Sequence, residues 1–403
     1  MSQATRGLAP LAYQRDIVGY LKAEEPALWQ WFASTKKRAE HAEAIRLDLL
    51  KSTYRLERAA HAPLYHSVDE VLGLFELQTP VTCYQAQQAG GLNASLAYLP
   101  GEVHLVFSGP VQEVLSELEL KGVLGHELAH YLLYERWDGE YLVATELLRA
   151  LGNDAAAAPA HLESARLFGL YTEVFADRGT FVASGDLQAA VSALIKIETG
   201  LHEVSAESYL RQAEEIFSKS RARTEQLTHP ESYLRARALQ LWTEQGEEAD
   251  AEIERMIEGQ PALGKLDLLG QRKMSARTRK LLEALLAPEW FHTEAVLAHA
   301  RLFFEDFAPV SGAELEQLAA DCKGDDGELR DFHCYVLLDF IAVDRELGDP
   351  ALAQAIELAK KLDLMPRFGE LVQKELGISK KALARTEKQA EEILAAAATE
   401  TSK

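Results

Sequence analysis

Gly125-His126-Glu127-Leu128-Ala129-His130 is the stretch on which the reading of this 403-residue chain turns. Two histidines four apart on a helix project from one face, so both imidazoles can reach a single metal ion. The carboxylate of Glu127, beside the first of them, is placed to take a proton from water held by that ion. Leu120, Val123, Leu124, Leu128 and Leu132 run as an apolar stripe through the segment. They predict a buried helix, where unpaired histidine and glutamate side chains would be costly. The plain alternative is a pair of satisfied core histidines.

A third ligand is available in Tyr171-Thr172-Glu173-Val174-Phe175-Ala176-Asp177, inside a helical pattern running from roughly His161 to Ala183. Glu173 and Asp177 are four apart and share a face. A carboxylate completing a His₂Glu set leaves the fourth zinc position open, the arrangement of a catalytic rather than a closed structural site. The expected cofactor is therefore one zinc ion per chain, held by His126, His130 and Glu173. Asp177, one turn later, is placed to accept the second N–H of a ligand histidine and fix its tautomer. A solvated acidic face is the alternative, but Leu170, Val174, Phe175, Ala176 and Phe181 make the segment too apolar for a surface helix.

With these residues in view, the chain resembles the M48 zinc metallopeptidases, the family of the CAAX prenyl protease and the HtpX-like and BepA-like bacterial enzymes. Four blocks carry the resemblance in the family's order, across roughly residues 80 to 240. The first is Asn93-Ala94-Ser95 followed by Glu102-Val103-His104-Leu105-Val106-Phe107, and the second is the helix from Glu117 to His130. The third is Glu173-Val174-Phe175-Ala176-Asp177, and the fourth Thr228-His229-Pro230 with Arg235. The resemblance implies a gluzincin: a zincin-type helical core with a small β-hairpin or sheet, mainly α within the α+β class. It implies zinc ligation by His126, His130 and Glu173, with Glu127 as general base and later proton donor. Asp177 would support a ligand, His229 would stabilise the oxyanion, and Arg235 would hold the His229 segment in place. Read without the family, Thr228-His229-Pro230 is also an ordinary helix entry.

Leu96–Leu99 and Val103–Phe107 are short β-rich runs separated by Pro100-Gly101, which predicts a hairpin. An edge strand there would bind an extended peptide main chain by β-addition. Val103, Leu105 and Phe107 alternate with His104 and Val106, so His104 is expected at the surface or an edge rather than on a metal.

The composition is that of a globular protein, and no run of about eighteen apolar residues occurs, so no membrane insertion is expected. The first residues lack the apolar core of a signal peptide. A net charge of −21 disfavours nucleic acid and anionic membranes and favours basic or unfolded polypeptides as partners. Three scattered cysteines, Cys83, Cys322 and Cys334, suit reduced thiols and a cytoplasmic location.

The expected organisation is an N-terminal helical segment over 1–80, a peptidase core over 81–240, a helical connector over 241–289, a helical bundle over 290–380 and an Ala-rich polar tail over 381–403, frayed from Glu391. Trp29, Trp31 and Phe32 are read as core packing, with cover over the cleft as the alternative. Glu247–Glu252 is read as a solvated acidic face. In the bundle, Phe332, Val336, Leu337, Phe340 and Ile341 form one stripe, and Leu352, Ala355, Ile356, Ala359 and Leu362 another. Asp325-Asp326-Gly327-Glu328 and Leu347-Gly348-Asp349-Pro350 are similar to TerB-like modules, a possible protein-binding surface; a calcium loop is excluded for want of the remaining ligands. The expected function is a zinc metalloendopeptidase acting on proteins or peptides. The competing class is a silent or latent zinc-stabilised scaffold that works through its C-terminal helices.

Overall fold

The apolar stripe around His126 forms the buried helix Glu117–Glu135, against which much of the fold is arranged. We describe residues 8–87, 91–153, 157–219, 230–259, 262–310, 315–323 and 327–401 of the computed structural model. The chain divides into two units, 1–260 with 267–269, and 261–266 with 270–403. In the first, α1 Ala12–Glu24, α2 Pro26–Ala33 and α3 Thr35–Ser52 lead into β1 Thr53–Leu56, α4 Ala62–Leu74, β2 Val81–Ala86, β3 Asn93–Leu99 and β4 Glu102–Ser108. Then come α5 Val111–Val114, α6 Glu117–Glu135, α7 Glu140–Gly152, α8 Pro159–Ser184, α9 Leu187–Thr199, α10 Ala206–Lys219, α11 Ser232–Gln245 and α12 Asp250–Glu258. The second holds α13 Leu268–Leu285 from its third residue on, α14 Glu294–Phe303, α15 Leu315–Cys322, α16 Gly327–Val343, α17 Gly348–Lys361, α18 Met365–Glu375 and α19 Lys380–Thr401. The fold is mainly α, of the α+β kind. None of the described helices is long and apolar enough to cross a membrane.

Local sequence explains where the central helices start and stop. Ser116 caps α6: its hydroxyl accepts from the Glu119 N–H at 3.4 Å, while the Glu119 carboxylate accepts from the Ser116 N–H at 2.7 Å. Such a reciprocal cap satisfies two otherwise orphaned donors. Pro159 opens α8, and Gly185, at φ 67°, closes it. Asp186 then caps α9 by accepting from the Ala189 N–H at 2.8 Å.

The sheet has the order β1-β2-β4-β3, with β2 and β4 parallel and both outer pairs antiparallel. The hairpin expected around Pro100-Gly101 is β3–β4, which leaves β3 on an edge. Val103, Leu105 and Phe107 are fully buried on the core face. His104 corrects its expectation: β4 is an inner strand, and the residue is only 6% exposed. Its Nδ1 lies 3.1 Å from the Tyr84 hydroxyl and its Nε2 3.1 Å from Glu102, which Arg46 of α3 also binds at 2.7 Å. Alternation put His104 on the face away from the core, but that face is covered too.

α6 and α8 cross in backbone contact. A Cβ at Gly125 would stand 2.3 Å from the Ala183 Cβ and 2.5 Å from the Gly179 carbonyl oxygen. A Cβ at Gly179 would stand 2.5 Å from the Ala129 Cβ and 2.7 Å from the Gly125 carbonyl oxygen. Side-chain layers ordinarily hold helix axes about 8–10 Å apart; here glycine and alanine remove that layer on both helices.

The expected boundaries shift. The described part of the expected 1–80 segment, from residue 8 on, is not separate, since Ile17, Leu21, Val68 and Phe75 belong to the same core as α6 and α8. Tyr13 stacks on Tyr171 of α8 with centroids 4.6 Å apart, and α2 packs against α7, so Phe32 completes the core and Trp29 packs partly against it, whereas Trp31, 53% exposed, is not the core residue expected. The 241–289 connector is divided: Ile253 and Ile257 of α12 join the first core, Leu281, Leu282 and Leu285 of α13 the second. Glu247–Glu252 is not simply a solvated face, because Asp250 binds the buried Arg178 at 2.6 Å. In the second unit Val336, Leu337 and Phe340 meet Leu352, Ala355, Ile356 and Ala359 in one core. The tail is not frayed from Glu391: α19 continues to Thr401, with Ala390 and Ala397 buried. Asp325 and Asp326 lie outside the described residues.

Two outcomes are expected. Gly179→Ala should destabilise the first unit by about 2 kcal/mol or more in chemical denaturation, whereas Gly169→Ala, on the same helix with open space around it, should be neutral or stabilising. In the second unit, burial and the nearby Arg277 push the fully buried His333 down to about 4. The unfolded chain takes that proton near pH 6.5 and the folded one only near 4. This contribution is therefore complete above about pH 6.5 and falls as pH drops toward 4, by on the order of 3 kcal/mol. Denaturation midpoints against pH should show that slope, and His333→Phe should reduce it.

Candidate metal centre

His126 and His130 stand on one face of α6, and Glu173 and Asp177 on the facing side of α8, brought together by the glycine crossing. His126 Nε2 and His130 Nε2 are 3.3 Å apart. Glu173 Oε2 is 3.5 Å from His126 Nε2, and Glu173 Oε1 is 3.6 Å from His130 Nε2. Among the described residues these three side chains form the group able to hold a metal ion, with one ligand atom from each within 4.8 Å of the others. Tetrahedral bonds of about 2.0–2.1 Å place neighbouring ligand atoms about 3.4 Å apart. Each imidazole nitrogen thus lies at about that spacing from the other and from one oxygen of Glu173, and the donor set of two imidazoles and one carboxylate fits zinc.

The supporting contacts form a chain. Asp177 Oδ1 lies 3.2 Å from His126 Nδ1, the ring nitrogen facing away from the other ligands. Arg235 of α11 grips Asp177 in two bonds, Nε to Oδ2 at 2.8 Å and Nη2 to Oδ1 at 2.6 Å, and its Nη2 is 3.6 Å from Glu173. Burial opposes a charge on Asp177, but Arg235 outweighs it and holds the carboxyl below its usual range. Burial likewise opposes a charge on His126, yet Asp177 and Glu173 hold that ring up at about 10. His130 goes the other way: burial dominates and pushes it down to about 4, leaving the ring neutral with one of its two nitrogens free of a proton.

Glu127 lies beside these side chains and is buried. That burial pushes its carboxyl up to about 7, while His126 and a hydrogen bond from the Leu96 main chain pull it down. A carboxyl poised near neutrality can both take and return a proton. The site opens into a cavity of about 440 Å³ whose lining includes Asn93–Leu96 of the edge strand β3, and no residue of α1–α4 among those described. The alternative in which Trp29, Trp31 and Phe32 cover the cleft is thereby set aside.

The structure thus brings together His126, Glu127, His130, Glu173, Asp177 and Arg235. Thr228 and His229 lie outside the described residues. Reasoning from sequence missed Tyr134, which lines the cavity one turn beyond His130, and Thr180, one turn beyond Asp177. Extending the helical face by one turn from His130 and from Asp177 would have found both. It also missed the wall from α9, for which no local signal exists. Compared with family models, with curated proteins and with solved structures, the chain matches none.

Metal analysis should find one zinc per chain, lost from His126→Ala and from Glu173→Ala. Asp177→Asn should keep the site but weaken zinc about 10- to 100-fold, read by competition with a chromogenic chelator.

Proposed function

We propose that this chain is a zinc-dependent metalloendopeptidase built on the plan of the M48 metallopeptidases, acting on proteins or peptides. The observation that carries the reading is the convergence of His126, His130 and Glu173 with Glu127 beside them, at the wall of a cavity bordered by an edge strand. The three ligand side chains would hold the ion, Asp177 would orient His126, and Arg235 would keep Asp177 charged and in place. When bound, zinc supplies Lewis acidity, polarising the scissile carbonyl and acidifying the attacking water.

The chain's own groups account for the remaining steps. The main chain of β3 offers hydrogen bonds to an extended peptide, which binds with little demand on side chains. Glu127 takes the proton from the attacking water and passes it to the departing amine nitrogen. His229 is assigned the second donor to the carbonyl oxygen as it gains negative charge. A buried carboxyl at this position is costly and is not needed by a structural zinc site. That favours hydrolysis over the second reading, a zinc-stabilised scaffold acting through the C-terminal helices.

Hydrolysis of an unfolded protein such as casein separates the two. Glu127→Gln should lower the rate about 10²- to 10⁴-fold while zinc content stays at one per chain. Equal rates for wild type and Glu127→Gln, both zinc-loaded, would remove the peptidase mechanism.

A further inference from the structure

The edge strand that borders the cavity is held at its far end by a network that the steps above do not use. Glu135, the last residue of α6, accepts from the Tyr98 hydroxyl of β3 at 2.6 Å. The same oxygen accepts from the Gly101 N–H of the hairpin turn at 3.4 Å. The turn is gripped from its other side as well. Thr79 donates to the Gly101 carbonyl at 3.0 Å, and its oxygen lies 3.1 Å from the hydroxyl of Tyr131, which is buried on α6. A hydroxyl carries one proton, so Tyr131 is the donor to Thr79. The end of α6 is itself fixed, since Arg136, its cap residue, donates to the Phe75 carbonyl at 2.6 Å.

These bonds matter because β3 pairs with β4 at the end of the described sheet. Its tilt about β4 sets its distance from α6, and both elements line the cavity: Asn93–Leu96 from the strand, His126, Glu127 and His130 from the helix. The Leu96 main chain meets the Glu127 carboxyl. Glu135 supplies a second tie about two turns further along α6. Tyr98 passes this position on to the wall of the cavity. Its ring meets Tyr134 edge to face, with centroids 5.5 Å apart, and Tyr134 lines the cavity with its ring 6.4 Å from that of His130.

We infer that Glu135 is a positioning residue of the proposed reaction: through Tyr98 and Gly101 it fixes the gap between β3 and α6 that an extended substrate main chain enters. The inference rests on the peptidase reading above. A peptide adding to β3 gains main-chain hydrogen bonds only if the strand lies within their narrow range, about 2.7–3.2 Å from N to O. A strand released at its turn samples wider gaps, so the substrate loses those bonds. The metal-binding side chains and Glu127, carried by α6 and α8, keep their places. The loss therefore falls on binding rather than on the chemical step. A carboxamide oxygen can accept where the carboxylate does, so glutamine should serve at this position and alanine should not.

The test uses the full-length zinc-loaded protein, one cleavable peptide, and analogues N-methylated at single amides other than the cleaved one. In wild type, methylation of an amide that pairs with β3 should lower kcat/KM about tenfold. Glu135→Ala should raise KM about five- to tenfold with kcat within about twofold, and should shrink the methylation penalty to about twofold. Glu135→Gln should stay within about twofold of wild type, and Tyr98→Phe, which keeps the Gly101 bond, should fall between. Zinc content checks that each variant folds. Dissociation constants of the parent peptide for zinc-loaded Glu127→Gln, with and without Glu135→Ala, should repeat the KM shift in fluorescence anisotropy. An unchanged KM in Glu135→Ala, a raised KM with the methylation penalty intact, or Glu135→Gln behaving as Glu135→Ala overturns this role and leaves the peptidase standing. Absence of Glu127-dependent cleavage of every peptide and of casein removes both together.

Discussion

Two backbones, rather than two layers of side chains, meet where α6 crosses α8. Gly125 faces the Gly179 carbonyl and Gly179 faces the Gly125 carbonyl, with Ala129 and Ala183 filling the turns between. This approach is what allows side chains of ordinary length to converge. Histidine from one helix and glutamate from the other reach across to within 3.5 and 3.6 Å because nothing bulky separates their main chains. The caps at Ser116 and Asp186 and the turn at Gly185 fix the ends of the elements that cross or flank the contact.

The crossing concentrates charge in a buried place, which is costly unless each group has a partner. The structure meets this with a chain of contacts rather than isolated pairs: Arg235 to Asp177, Asp177 to His126, His126 to Glu173. Removing one member leaves its neighbour a buried charge without compensation, so each is needed by the next. Carboxylates predominate over cationic side chains, the balance that a divalent ion would complete. Glu127 stands slightly apart from this chain, close to β3, and its carboxyl lies near neutrality through burial above all.

The same economy sets the cavity. One end is bounded by the main chain of β3, the other by α9, whose outer side is tied to α6 through Lys196 and Glu119. Polar side chains, an edge strand and an apolar recess thus share one opening within the first unit. The second unit is a helical bundle with its own core, in which the two apolar stripes of α16 and α17 are buried together.

Much was legible in residues alone, because it depends on spacing within one element. The four-residue interval of His126 and His130, that of Glu173 and Asp177, and the Pro100-Gly101 turn each state a local geometry that the backbone must obey. The alternation of Val103, Leu105 and Phe107 does the same for the sheet. His104 was misplaced because alternation tells which face a residue takes, not whether another element covers that face. The tail was misjudged because an Ala-rich polar helix has little core signal of its own and draws its order from packing. Gly125 and Ala129, like Gly179 and Ala183, are small residues at helical spacing, yet their purpose appears only once the two helices are opposed. The sequence by itself determined which side chains each helix presents. Which helices meet, how near they come, and what wall α9 adds to the opening were decided only by the tertiary structure, since these are contacts between residues distant along the chain, with no shared local period to announce them.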